Sequence, residues 1–157
     1  MLLGSGSVRN EKLGPLVLFS DLAECFPYDD SVTMVTVTGA QLKRMIAYML
    51  RDEVWEGAHC EFYQLSKGLK VVYDRKKKDF LEFTYEDEPV DEEKFYTVGL
   101  QAFHYLNIEE NLAVTLEEVS ANRKPRVVAT SCREVLDEYL SVHQHLDREI
   151  DGRLTLL

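Results

Sequence analysis

The chain has 157 residues, of which 45% are apolar and 29% charged, a composition that suits one folded domain and argues against intrinsic disorder. Its 28 acidic and 18 basic residues leave a net charge of −10, which argues against duplex nucleic acid or an anionic membrane surface as a partner. The sequence contains no apolar run of about 20 residues, the length that spans a bilayer, and we expect a monomeric domain.

Three cysteines, Cys25, Cys60 and Cys132, lie far apart along the chain. An odd number without CxxC spacing favours free thiols over a disulfide framework or a metal site. Because free thiols are typical of a reducing compartment, a cytoplasmic location is favoured over a secreted or cell-wall one. Residues 1–3 have neither a basic stretch nor a small-residue cleavage site, so no signal peptide is expected.

Residues 4–9, Gly-Ser-Gly-Ser-Val-Arg, are the first candidate functional segment. Small residues allow backbone amides to approach an anion, and the Arg9 guanidinium can bind two phosphate oxygens at once. Such loops also occur at tight turns without any special function. The pattern therefore leaves both a ligand-binding loop and a plain turn open.

The next elements mix helices and strands. A short helix is predicted at residues 20–24 with Ser20 as N-cap, followed by a turn around Pro27 and a strand at 32–37. Thr38 and Gln41 form a capping box that begins a helix extending to about residue 52. The apolar stripe of this helix is the clearest in the chain and comprises Leu42, Met45, Ile46, Met49 and Leu50.

The second half of the chain continues the mixture. Strands at 68–73 and 80–85 are predicted to form a hairpin, whose basic tip at 74–79 is expected to be a solvated turn rather than a nucleic-acid contact. Because strands and helices do not alternate strictly, the pattern favours an α+β fold, a single domain with a mixed β-sheet and packed helices. The remaining predicted elements are strands at 95–100, 126–129 and 153–157, a turn capped by Thr115 and Glu118, and a helix from the Ser131 and Glu134 capping box to about residue 146.

No group of residues in the sequence predicts a catalytic centre. HExxH motifs and a Ser/His/Asp order are both missing, and two of the histidines lie two positions apart on different faces of the last helix. No catalytic residue, metal ligand or cofactor is therefore assigned to this domain. All four histidines are interpreted as surface residues or satisfied core residues: His59, His104, His143 and His145.

Taken in order, six short motifs resemble the carboxy-terminal domain of the 5′-nucleotidase family, which also includes UDP-sugar hydrolases. The loop at 4–9 resembles the family's Asn-Gly-Gly-Gly-Ile-Arg, and Phe-Pro-Tyr at 26–28 resembles its Pro-Phe turn. The other matching stretches are Val-Thr-Val-Thr-Gly-Ala-Gln-Leu at 35–42, Glu-Phe-Tyr-Gln at 61–64 with Val-Val-Tyr-Asp at 71–74, Tyr-Thr-Val at 96–98 before Phe103, and Asp-Gly-Arg-Leu at 151–154.

The resemblance implies a division of labour between two domains. The family's amino-terminal metallophosphoesterase domain holds two divalent metals that activate water, and its carboxy-terminal domain binds the nucleotide. We expect residues 1–157 to be the substrate-binding, carboxy-terminal domain, with the metal domain absent, and therefore to be inactive when isolated. The expected partners are a nucleotide or a related phosphorylated small molecule and the protein's own amino-terminal domain.

The resemblance also implies which residues bind the ligand. Tyr28 and Phe103 correspond to the two aromatic residues that clamp the base, and Arg9 corresponds to the arginine on the phosphate side. Glu109 falls where the family has the aspartate of Gly-Gly-Asp-Gly-Phe, which holds the ribose hydroxyls. Gly6 in the loop and Asp30 in the turn complete the candidate set.

Three departures from the family pattern keep other functions open. Gly4 stands in place of the asparagine, Tyr28 in place of phenylalanine, and residues 107–111 in place of the glycine-rich ribose motif. An altered pocket would suit a non-catalytic interaction or structural module that has kept the fold. A free-standing enzyme ranks last, because the sequence contains no metal-ligand cluster.

Overall fold

The structure of the chain is a computed structural model that describes residues 1–10, 12–56 and 60–157, so His59 lies outside it. Within these ranges the elements are mixed along the chain, as the sequence predicts. The strands are β1 (Leu2–Gly4), β2 (Val32–Thr38), β3 (Tyr63–Leu65), β4 (Leu69–Asp74), β5 (Asp79–Tyr85), β6 (Glu88–Pro89), β7 (Phe95–Gln101), β8 (Arg126–Ala129) and β9 (Leu154–Leu156). The helices are α1 (Phe19–Cys25), α2 (Gly39–Met49), α3 (Asp52–Trp55), α4 (Ala102–Leu106), α5 (Ile108–Leu112), α6 (Leu116–Asn122) and α7 (Cys132–Val142).

The strands of the described residues form three sheets rather than the one sheet expected. β1 pairs with β3, and β2 lies between β7 and β8, in antiparallel pairs throughout. The third sheet has the order β6-β5-β4-β9 and is mixed, because β9 runs parallel to β4. The β4–β5 hairpin pairs with β6 and β9 and so builds a separate sheet. The α+β class is confirmed.

Strand β2 and helix α2 show how local sequence produces this core. Alternate residues of β2 point inward, and Val35 and Val37 are 1% and 0% exposed. The predicted capping box is confirmed: the Thr38 amide donates to Gln41 Oε1 (2.8 Å), and the Gln41 amide donates to Thr38 Oγ1 (3.1 Å). The whole predicted stripe of α2 is buried, in one cluster with residues of β1, β3, β4 and β7.

Helix ends differ from the sequence predictions where side chains satisfy the terminal backbone groups. The first helix begins at Phe19, not Ser20, because the Asp21 carboxylate accepts a hydrogen bond from the Leu18 amide (2.8 Å). Helix α2 ends at Met49 rather than near residue 52, and the Arg51 guanidinium donates to the Tyr48 carbonyl there (2.6 Å). Thr115 and Glu118 cap a seven-residue helix, α6, where only a turn was predicted.

Helix α7 is shorter than predicted, and its apolar stripe, which includes Val135, Tyr139 and Val142, is largely exposed. It ends at Val142, and His143 closes it by placing Nδ1 2.9 Å from the Tyr139 carbonyl. Val135, Tyr139 and Val142 are 47%, 41% and 74% exposed, so the stripe is not part of the core. No helix among the described residues has the length and apolar character needed to cross a membrane.

Candidate functional site

The glycine-rich segment is fixed at both ends by backbone hydrogen bonds. Strand β1 ends at Gly4 and is followed by one turn of 3-10 helix, Ser5–Ser7. The Ser5 amide donates to the Phe62 carbonyl (2.7 Å), and the Arg9 amide donates to the Cys25 carbonyl (2.7 Å). Because these bonds tie the loop to β3 on one side and to α1 on the other, Arg9 comes close to the turn that follows α1.

Arg9 and Tyr28, two predicted site residues, are in direct contact. Arg9 Nη2 donates to the Tyr28 hydroxyl over 2.7 Å, and the guanidinium carbon lies 5.2 Å from the centroid of the Tyr28 ring. The Tyr28 side chain is nevertheless 49% exposed. One bond leaves most of the five guanidinium N–H donors available, so a cation and an aromatic face are presented together at the surface.

The turn that carries Tyr28 is anchored to the start of α7. Asp29 Oδ1 accepts hydrogen bonds from the Ser131 hydroxyl (2.6 Å) and the Arg133 amide (3.1 Å). Arg133 Nη2 donates to the Pro27 carbonyl (2.9 Å), and the Cys132 amide donates to the Asp30 carbonyl (2.9 Å). The Ser131 hydroxyl, followed by the Arg133 amide, lowers the pKa of Asp29. Asp30, the predicted residue, thus contacts the start of α7 through its backbone carbonyl, whereas the side-chain contacts with α7 are made by its neighbour Asp29.

Phe103 is joined to the same turn through the backbone. The Ala102 amide donates to the Ser31 carbonyl (2.9 Å), so α4 begins directly beside the end of the turn. The Phe103 ring is 58% exposed and makes an edge contact with the His104 ring, with centroids 5.3 Å apart. The exposure of both rings suits ligand stacking, and the role of Tyr28 and Phe103 as the two rings that clamp a base stays a prediction.

Beneath Phe103 lies a buried polar pair that the sequence did not single out. His104, 3% exposed, has Nδ1 2.9 Å from the hydroxyl of Tyr63, which is fully buried. Burial lowers the pKa of His104, although the charges of Glu61 and Asp30 oppose this shift. Burial, reinforced by the charge of Glu61, raises the pKa of Tyr63. His104 is a satisfied core histidine, one of the two interpretations made from sequence.

The backbone amide of Gly6 is hydrogen-bonded to the carboxylate of Glu61. The amide donates to Glu61 Oε1 over 2.8 Å, and Glu61 was not among the predicted site residues. The only sequence signal for Glu61 was its position in the Glu-Phe-Tyr-Gln motif, which does not reveal a contact with a loop 55 residues away.

Glu109 lies on α5, and its segment is used for packing. Ile108 and Leu112 are 1% and 0% exposed and belong to the core, whereas Glu109 faces solvent. Among the described residues, no hydrogen bond or ring contact joins Glu109 to Arg9, Tyr28 or Phe103. A role of Glu109 in ribose binding stays a prediction.

A cavity of about 600 Å³ lies elsewhere on the domain, between β7 and the β5–β6 turn. Its walls include Tyr85, Phe95 and Tyr96, and none of the six predicted site residues lines it. Five of the predicted residues instead lie on the glycine-rich loop, the turn after α1 and the start of α4, and Glu109 lies on α5.

The sequence of this domain is similar to a known protein family. Residues 2–115 match the family model described as 5′-nucleotidase, C-terminal domain. The chain belongs to this family. A comparison with curated protein sequences finds no match.

Solved structures share the fold of this 5′-nucleotidase C-terminal domain. A 5′-nucleotidase precursor from Thermus thermophilus superposes with a TM-score of 0.75 at 18% identity, over 99% of this chain and 31% of that one. The NAD nucleotidase of Haemophilus influenzae gives 0.79 at 15% identity, over 99% and 29%. The sulfate thiohydrolase SoxB of Thermus thermophilus gives 0.57 at 15% identity, over 82% and 23%. The domain therefore spans less than a third of the length of these relatives.

Proposed function

We propose that this domain binds the base and ribose of a nucleotide and presents its phosphate to an amino-terminal metallophosphoesterase domain that lies outside residues 1–157. The observation that carries the proposal is the contact between Arg9 and Tyr28, a cation held beside an exposed aromatic ring in a domain of the 5′-nucleotidase family. Arg9 would bind the phosphate, and the rings would bind the base.

The two rings supply the affinity for the base in this proposal. Stacking of a base on an aromatic side chain contributes about 1–3 kcal/mol and tolerates different bases. Tyr28 and Phe103 are about half exposed, so part of each side chain is open to a ligand. The guanidinium of Arg9 can form two parallel hydrogen bonds to a phosphate, which neutralises charge as well as fixing orientation.

The metal pair belongs to the other domain in this proposal. Within residues 1–10, 12–56 and 60–157, no three His, Cys, Asp or Glu side chains are grouped so that they could hold a metal ion. The metals would activate the attacking water, and the residues of this domain would position the nucleotide for it.

A non-catalytic interaction or structural module is the second candidate. The observation in its favour is that residues 107–111, which replace the family's ribose motif, contribute Ile108 to the core and have Leu112 directly after them. A segment used for packing is less free to bind a sugar.

Calorimetry with the purified chain separates the two candidates. Wild type should bind AMP and adenosine, and Phe103→Ala should weaken both by roughly 1–3 kcal/mol. Phe95→Ala is the matched control, since both phenylalanines are 58% exposed and Phe95 lines the separate cavity. Equal affinity in the two variants, or a folded wild type that binds no nucleotide, would favour the second candidate.

A further inference from the structure

The carboxylate of Glu61 lies over the glycine-rich loop. Oε1 accepts the Gly6 amide hydrogen bond (2.8 Å) and lies 2.6 Å from the point where a Cβ atom on Gly4 would stand. Oε2 lies 3.0 Å from the corresponding point at Gly6. Any side chain at Gly4 would collide with the His104 imidazole, which is nearest, and with Glu61, so glycine at this position admits both side chains.

The backbone around Glu61 is fixed to the same loop. Gly4 pairs with Tyr63 in the β1–β3 sheet, and the Ser5 amide donates to the Phe62 carbonyl (2.7 Å). Gln64 Nε2 donates to Ser5 Oγ (3.2 Å). The backbone on the carboxy-terminal side of Glu61 is therefore fixed by strand pairing, and the Gly6 amide holds the carboxylate itself.

The negative charge of Glu61 is not neutralised by a nearby cation within the part of the chain that the structure describes. None of the Lys and Arg ion pairs found there includes Glu61. Nε2 of His104 lies 2.3 Å from the Cβ point of Gly4, but burial favours the neutral imidazole. Among the residues that the structure describes, the Gly6 amide is thus the contact that stabilises this charge, and the carboxylate places a negative charge at the loop.

We propose that Glu61 is a specificity-determining residue that excludes phosphate from the glycine-rich loop and leaves Arg9 as the phosphate contact. A phosphate at the Gly6 amide would compete with a carboxylate already bound there and be repelled by its charge. Arg9, at the other end of the loop and in contact with Tyr28, carries the opposite charge. A nucleotide would therefore bind with its uncharged part toward Gly6 and its phosphate toward Arg9. The orientation of the nucleotide rests on the proposed function; the exclusion of phosphate does not.

Inorganic phosphate is the probe that tests this inference, followed by NMR on the full 157-residue chain. In wild type, phosphate should shift the Arg9 guanidinium resonance and leave the Gly6 amide unchanged. In Glu61→Gln, which keeps an acceptor for Gly6 but loses the charge, phosphate should also shift Gly6, with an affinity raised at least about tenfold. Glu117→Gln, an exposed change on α6, is the matched control and should behave as wild type.

Two results would overturn the inference. One is a phosphate-dependent shift of the Gly6 amide in wild type, a measurement that needs no variant to fold. The other is equal phosphate affinity in folded Glu61→Gln and Glu117→Gln. The AMP titration of Phe103→Ala tests the proposed function separately: its failure, with the phosphate result as expected, would remove nucleotide binding and leave the exclusion of phosphate standing.

Discussion

The hydroxyl of Tyr63 lies 2.9 Å from Nδ1 of His104, and both side chains are buried directly beneath the start of α4. Because the pKa of Tyr63 is raised, its hydroxyl stays protonated and can donate to Nδ1. The nearby carboxylate of Glu61 favours a proton on Nε2, which gives the neutral imidazole a consistent tautomer. This pair joins β3 to α4 and so supports the loop and Phe103 from below.

Tyr63→Phe should destabilise the domain, because it leaves the buried Nδ1 of His104 without its partner. The expected loss is about 1–3 kcal/mol in the free energy of unfolding, measured by urea denaturation. Tyr85→Phe, at a ring that is 40% exposed, is the control and should have little effect. Equal midpoints for the two variants would show that the Tyr63 hydroxyl does not stabilise the fold.

The same pair predicts a pH dependence of stability. The pKa of His104 lies below its ordinary value of 6.5, chiefly because burial disfavours the imidazolium. As the pH falls below 6.5 the unfolded chain binds a proton that the folded chain does not yet bind, so stability decreases. The charges that face His104, from Glu61 and Asp30, weaken this effect but do not reverse it.

Thermal melts between pH 8 and 5 measure the effect. His104→Gln keeps an acceptor for Tyr63 but does not titrate, so its melting temperature should fall less than that of wild type below pH 6.5. His145→Gln, at an exposed histidine, should retain the wild-type slope. A wild-type slope in His104→Gln would mean that other groups produce the acid sensitivity.

Met45→Asp tests the buried stripe of α2. Met45 is fully buried, so an unpaired carboxylate there should cost several kcal/mol or be forced to protonate. Ala40→Asp is the control, because Ala40 is exposed in the first turn, where a negative charge is tolerated or favoured. An unchanged melting temperature for Met45→Asp would contradict the core position of this stripe.

Local signals in the sequence predicted much of the fold. The capping pairs Thr38 with Gln41 and Thr115 with Glu118 lie three residues apart, so their hydrogen bonds follow from the chain itself. The predicted N-cap at Ser20 was wrong, because the neighbouring Asp21 reaches the Leu18 amide and moves the N-cap two residues earlier, to Leu18.

Much of the candidate site depends on contacts between residues far apart in sequence. Glu61 meets Gly6 across 55 positions, and Tyr63 meets His104 across 41. No periodicity or spacing encodes such pairs, because they arise from the pairing of β1 with β3 and the placement of α4. The glycine-rich loop indicated Arg9 and the family resemblance supplied Tyr28 and Phe103, but neither gave a sign of the buried pair Tyr63 and His104.

The purified chain should show no phosphatase activity, even with manganese or cobalt added. The physical reason is that the described residues offer no group of ligands for a metal ion. The assay is release of phosphate from AMP over a range of metal concentrations. Metal-dependent turnover that remains after contaminating phosphatases are removed would contradict this prediction.

Arg9→Ala should weaken binding of AMP more than binding of adenosine, because only AMP carries the phosphate that the guanidinium would bind. Hydrogen bonds to charged groups contribute about 1.5–3 kcal/mol, so the binding free energy of AMP should fall by that amount more than the binding free energy of adenosine in calorimetric titrations.

The Arg9→Ala substitution also removes the 2.7 Å hydrogen bond to the Tyr28 hydroxyl. Tyr28→Phe isolates that second effect, since it keeps the ring and the arginine, and it should affect both ligands equally. Arg126→Ala, at an exposed arginine on β8, should change neither affinity. If Arg9→Ala lowers the two affinities by the same factor, Arg9 supports the Tyr28 ring and does not contact the phosphate.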